Sequence, residues 1–78
     1  MNKQIVMFII TRIQQLNSIE VREIDDLFTI GLLDSLSFAE MVAAVEDEFL
    51  VEFDFTEVEN WESVRTPLGL AEFCKVKT

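Results

Sequence analysis

Ile5, Ile9, Ile13 and Leu16 recur three or four residues apart, with Val6 and Ile10 widening the same stripe. That spacing predicts an amphipathic helix over residues 3–16, buried on most of one side and ended by Asn17 and Ser18. A second stripe, Phe38, Met41, Val42, Val45 and Phe49, falls at i, i+3, i+4, i+7 and i+11. It predicts a helix from about Asp34–Ser37 to about Leu50. The opposite face of that helix, Leu36, Ala39, Glu40, Ala43 and Asp47, is small, apolar and acidic, which suits a docking surface. Asp34, Ser35 and Ser37 are all able N-caps, and Ser37 with Glu40 three residues later matches a capping box. Residues 17–34 form a long connection in which Leu27 and Phe28 are expected to tuck into the core as a short turn.

The second half of the chain is less regular. Val51 to Phe55 alternate apolar and acidic residues, which alone would read as a strand. With no strand partner and no hairpin signal, the segment is expected to be an extended connection with Val51 and Phe53 pointing inward and Phe55 as a third candidate. Residues 56–62 suit a short third helix, with Thr56 as cap, Glu59 at the box position and Trp61 packed at its end as a core aromatic. A last helix is expected over roughly 66–76, with Thr66 as cap and Pro67 at the first helical position; Ser63 is a rival start. Leu68 and Ala71 should face inward, together with Leu70 or Phe73. Gly69 weakens such a helix by about 1 kcal/mol relative to alanine. Lys75 and Lys77 would complement its C-terminal dipole.

Composition narrows the chemistry. Seventy-eight residues suit one domain, expected to span residues 1–78, with a net stability of roughly 3–5 kcal/mol. Fifteen acidic residues against six basic ones give a net charge of −9, which repels nucleic acid and favours partners with basic docking patches. Histidine is absent, so the commonest general base and metal ligand is missing. One cysteine and no histidine exclude an ordinary zinc site and any Ser-His-Asp or Cys-His nucleophile within the chain. Asp25, Asp26, Glu46, Asp47 and Glu48 could bind divalent cations weakly, but they lack the spacing of an EF-hand loop and no dedicated metal site is expected. Cys74, the single cysteine, reads as a small apolar residue and fits a reducing compartment. The apolar run Ile5 to Ile10 is too short to span a bilayer, and no cleavage site follows it. The expectation is a free-standing cytoplasmic protein without a membrane span, with a monomer as the default.

Gly31-Leu32-Leu33-Asp34-Ser35-Leu36 places a serine where a loop ends and the second helix begins. From the tripeptide alone, Asp34, Ser35 and Ser37 could do no more than cap that helix. No base in the sequence equips Ser35 as a catalytic nucleophile, but a partner enzyme could modify it. A phosphodiester at a helix N-terminus is favoured by unpaired N–H groups and the dipole. Asp34 beside it could help a transferase hold Mg²⁺.

The wider pattern is Phe28-x-x-Gly31-x-Leu33-Asp34-Ser35-Leu36, then Glu40, then Glu46-x-Glu48-Phe49, then Asn60-Trp61-x-Ser63-Val64. It resembles the acyl and peptidyl carrier protein family over about residues 3 to 73. The resemblance implies an all-α four-helix bundle with a short third helix. It implies a covalent 4′-phosphopantetheine on Ser35, taken from coenzyme A by a phosphopantetheinyl transferase, with Asp34 as the acidic residue of the motif. The arm's thiol would hold an acyl or aminoacyl group as a thioester, and the protein itself would not be an enzyme. Loading synthetases and downstream synthases would dock mainly on the second helix, at Leu36, Glu40, Ala43, Glu46 and Asp47. Ala43 is smaller than the residue many members carry there, which leaves partner identity open. Fatty acid, polyketide, nonribosomal peptide and D-alanine carriers share the pattern, so the cargo is not specified. An acidic helical interaction module without a prosthetic group is the alternative.

Overall fold

A computed structural model describes residues 2–76. Along the chain run α1 (Asn2–Asn17), α2 (Ser35–Phe49), β1 (Val51–Phe53), 3₁₀ turns at Phe55–Glu57 and Trp61–Val64, α3 (Pro67–Glu72) and β2 (Cys74–Val76). The apolar stripe of α1 buries Ile5, Val6, Ile9 and Ile13 against α2 and α3. Leu16 shares that stripe but lies in the final turn, beyond the last buried residue Ile13, and is 74% exposed. Ser18, at φ 54, then turns the chain away while its N–H donates to the Gln14 carbonyl at 2.8 Å.

In α2 the inward residues are Met41, Val42 and Val45, with Phe38 and Phe49 partly buried beside them. Asp34 is the N-cap, and its side chain accepts the Ser37 N–H at 2.8 Å. Ser37 is therefore inside the first turn as a donor, and the box expected between Ser37 and Glu40 does not set the helix start. The long connection is organised by fully buried Leu27, whose carbonyl accepts from the Leu32 and Leu33 N–H groups at 2.9 and 3.0 Å. Its own N–H donates to the Arg65 carbonyl at 2.9 Å, tying this loop to the second 3₁₀ turn.

The expected all-α four-helix bundle is corrected in three places. First, residues 51–53 are a strand: β1 pairs antiparallel with β2, with Val51 opposite Val76, Glu52 opposite Lys75 and Phe53 opposite Cys74. The partner comes from the far end of the chain, so no local hairpin signal could announce it. Second, α3 is shorter than expected, because it stops at Glu72 with Phe73 as its C-cap and leaves 74–76 free to pair. Lys75 accordingly lies in a strand, where its Nζ is 2.6 Å from Glu57 Oε1 and 3.9 Å from Asp54 Oδ2. Lys77 lies outside the described residues. Third, the short third helix is two separate 3₁₀ turns, capped by Asp54 and Asn60 rather than Thr56. Val58, between them at φ −80 and ψ 107, is too extended to continue a helix.

Among the described residues the architecture is thus three α-helices, two 3₁₀ turns and a two-stranded sheet. Thr66 caps α3 as expected, its hydroxyl accepting from the Gly69 N–H at 3.0 Å, while Ser63 stays in the preceding turn. None of the described helices is long and apolar enough to cross a membrane.

Candidate functional site

The loop before α2 is shaped by its own side chains. Asp26 Oδ1 accepts from the Phe28 and Thr29 N–H groups, both at 3.0 Å, and Gly31 turns the chain at φ 79. Leu33 is buried and fixes the approach to the helix. After Leu33 the chain leaves the core: Asp34, Ser35 and Leu36 are all exposed, Leu36 by 71%. Asp34 makes the cap, so the Ser35 hydroxyl is not consumed in it and stands on the first turn facing solvent.

Backbone hydrogen bonding holds the Asp34 carboxyl below the usual carboxylate range, chiefly through the Ser37 N–H. The Asp26 carboxyl is lowered first by the Thr29 N–H, with smaller help from the Thr29 side chain, the Phe28 N–H and the Arg65 charge. A carboxyl whose folded pKa is depressed adds stability above its unfolded pKa, near 3.9, and loses it as pH falls through the folded value. Asp34→Ala is therefore expected to lower the thermal midpoint at neutral pH. The gap to the wild type should narrow only below about pH 4. Parallel melting curves from pH 7 to pH 2.5 check this; a gap that closes well above pH 4 would be at odds with it.

Ser35 shares a cleft of about 240 Å³ with Phe28, Phe38, Trp61, Val64 and Arg65. Three elements build it: the loop before α2, the first turn of α2 and the second 3₁₀ turn. Half of its lining residues are aromatic. Phe28 and Phe38 rings lie 5.9 Å apart, and Trp61 lies 6.0 Å from Phe55. Trp61 is 50% exposed, so the expected core aromatic is instead a surface residue lining the same cleft as Ser35. The Arg65 guanidinium sits 5.3 Å from the Phe28 ring centre and is the cation of the cleft.

Among the expected docking residues, Leu36, Glu40, Ala43 and Asp47 are exposed and run down the outer face of α2. Glu46 is set apart from them. It is half-buried, and its Oε2 accepts the Phe53 N–H at 2.9 Å, so this carboxylate braces β1. Arg65 and the position of Trp61 were missed in the sequence. The cleft joins residues 28, 35 and 61–65, and neither hydrophobic period brings those segments together. The available signal was scarcity: Arg65 is one of six basic residues in an acidic chain.

The described residues hold no group of three or more His, Cys, Asp and Glu side chains able to bind a metal ion. Burial pushes the Cys74 thiol up to about 11, with Glu46 adding to the effect. That thiol is a poor nucleophile, because the thiolate is the reactive form. What the site offers is an exposed hydroxyl, an apolar cleft and one guanidinium. The chain has no histidine to serve as a base.

A family model described as a phosphopantetheine attachment site matches residues 8–74. No curated protein and no solved structure matches the chain.

Proposed function

The chain belongs to the phosphopantetheine attachment-site family, and from that premise we propose that it is a single carrier domain whose attachment residue is Ser35. Domains of this family carry rather than catalyse, and the group they bear is a covalently bound 4′-phosphopantetheine. They work with a phosphopantetheinyl transferase and with biosynthetic enzymes. The observation that supports Ser35 most directly is the division of labour at the start of α2: Asp34 takes the cap and leaves the neighbouring hydroxyl exposed.

The surrounding residues suit the group. An arm leaving Ser35 starts beside the cleft of Phe28, Phe38, Trp61 and Val64, which offers apolar contact, and beside Arg65, which offers a positive charge. When bound, the arm supplies a thiol that holds cargo as a thioester. The chain's own residues present and orient it: Asp34 fixes the first turn of α2, and Leu33 anchors the loop that leads there. Carrying needs no acid–base group, so the absence of histidine is no obstacle. The four-helix bundle of the resemblance is approached here as three helices, with the two 3₁₀ turns in the place of the short third helix.

Partners are proposed to dock on the outer face of α2. Leu36 and Ala43 give it apolar contact, while Glu40 and Asp47 meet basic patches on the partner. Glu46 is left out of that face by its bond to Phe53. The cargo class is an acyl or aminoacyl group, in fatty acid, polyketide, nonribosomal peptide or a related biosynthesis. The single cysteine suits a cytoplasmic site of action.

Thiol reactivity tests the carrying function. Before arm transfer, the one thiol of the chain is Cys74, with a pKa of about 11 and a half-buried side chain. At pH 8 it should hold about two orders of magnitude less thiolate than an ordinary thiol. After treatment with a transferase and coenzyme A, one fast-reacting thiol is expected beside the slow one. Loaded cargo should block the fast thiol and be released by hydroxylamine. A protein that gains the arm without a fast thiol, or cargo that hydroxylamine leaves in place, would contradict the thioester reading.

A further inference from the structure

Arg65 is held more firmly than it is paired. Its backbone is pinned, with the N–H donating to the Glu62 carbonyl at 3.3 Å and the carbonyl accepting the Leu27 N–H at 2.9 Å. Its guanidinium lies over the Phe28 ring at 5.3 Å, which adds a cation–π contact to the backbone ties. Yet its nearest carboxylate oxygen, Asp26 Oδ2, is 4.0 Å away, and both side chains are more than a third exposed, at 38% and 35%. The other carboxylate oxygen of Asp26 is occupied by the Phe28 and Thr29 N–H groups. Two other cations are closely paired: Arg22 with Asp25 at 3.0 Å and Lys75 with Glu57 at 2.6 Å. Arg12 lines a different cleft, with Ser37 and Glu40. Of the three cations that have an ion-pair partner among the described residues, the one on Ser35's wall is thus the most loosely held.

The phosphodiester of an arm on Ser35 would be bonded directly to the serine oxygen and would keep one negative charge. It would lie beside the Asp34 carboxylate in a chain of net charge −9, so it meets repulsion from its own protein. A planar guanidinium, with its fork of N–H donors, is the side chain best matched to two phosphate oxygens. We propose that Arg65 is the counter-ion of the phosphodiester on Ser35, exchanging its loose contact with Asp26 for it and holding the root of the arm against the cleft lined by Phe28 and Trp61. This assignment rests on the carrier reading above, and it makes Arg65 a positioning residue.

The test compares the wild type, Arg65→Lys and Arg65→Gln before and after transfer from coenzyme A. Intact mass shows whether the arm is present. Nitrogen-15 NMR follows the arginine Nε–H groups of the wild type, and thermal melts are recorded for both forms of each protein. In the wild type the Arg65 Nε–H signal should shift on arm attachment, while those of Arg12 and Arg22 stay in place. The rise in thermal midpoint from unarmed to armed protein should be present in the wild type, reduced in Arg65→Lys and lost in Arg65→Gln. In the wild type it should shrink with added salt, as expected for a partly exposed ion pair. Each comparison is made within one variant, so loss of the contact with Phe28 cancels. An unmoved Arg65 signal in armed wild-type protein would overturn the assignment while leaving the carrier reading intact. So would an armed Arg65→Gln that keeps the wild-type rise. Absence of any mass gain in the wild type would overturn the carrier reading and this assignment together.

Discussion

Gly69→Ala should cost the domain much of its stability. Helix propensity alone argues the opposite, since alanine inside a helix is favoured over glycine by about 1 kcal/mol. The packing decides the sign. A Cβ added at Gly69 would stand 1.7 Å from the Ser63 carbonyl oxygen and 2.9 Å from its carbon. Both are backbone atoms of the second 3₁₀ turn, which no rotamer change can move aside. That turn is also tied to the rest of the fold, because the Leu27 N–H donates to the Arg65 carbonyl two residues later. Relief would require α3 to move off the turn, and α3 buries Leu70 and Ala71 completely. Overpacking of a core commonly costs about 1–3 kcal/mol, and more where backbone must shift, against a total of roughly 3–5 kcal/mol for a domain of this size. Circular dichroism and urea denaturation check the outcome. A Gly69→Ala protein as stable as the wild type would show that propensity outweighs the contact.

Leu27→Ala is the second large effect. Leu27 belongs to no helix or strand, yet it is fully buried. Its side chain fills the core, and its backbone takes three hydrogen bonds that hold the loop before α2 and join it to the second 3₁₀ turn. Truncating a buried leucine costs about 2–5 kcal/mol, most or all of the stability available. The same change at Leu16, 74% exposed, should cost no more than about 0.5 kcal/mol. Urea midpoints of the two variants form the comparison, and similar losses at both sites would contradict the burial described. Because Leu27 supports both Phe28 and Arg65 across the cleft, a partly folded Leu27→Ala should also accept the arm poorly.

These residues show where the sequence is informative. The stripes of α1 and α2 are read directly, because a helix buries one face and the apolar period records it. Leu27 and the Thr66–Pro67 start of α3 also follow from local chemistry. What stayed hidden is non-local. The strand Val51–Phe53 was visible as an alternation but finds its partner at 74–76, across two turns and a helix. The need for glycine at 69 comes from Ser63, and a lone sequence shows only the propensity penalty. In the candidate site, the placement of Asp34 and Ser35 at the start of α2 and the exposed outer face of that helix were legible, because they depend on one helix start and one helical period. The cleft was not, since Trp61 and Arg65 reach it through the fold, and Trp61, expected to pack at the end of a short helix, lies on the surface because that helix is replaced by two 3₁₀ turns. Glu46 shows the same limit: its position on α2 suggests a docking face, but its bond to Phe53 depends on where β1 lies.

Intact-protein mass after incubation with coenzyme A, Mg²⁺ and a phosphopantetheinyl transferase of broad specificity tests the central claim most directly, with Ser35→Ala and Ser37→Ala in parallel. One phosphopantetheine should be gained by the wild type and by Ser37→Ala, and none by Ser35→Ala. A gain on Ser35→Ala, or no gain on the wild type with several transferases, would contradict the assignment of Ser35 as the attachment residue.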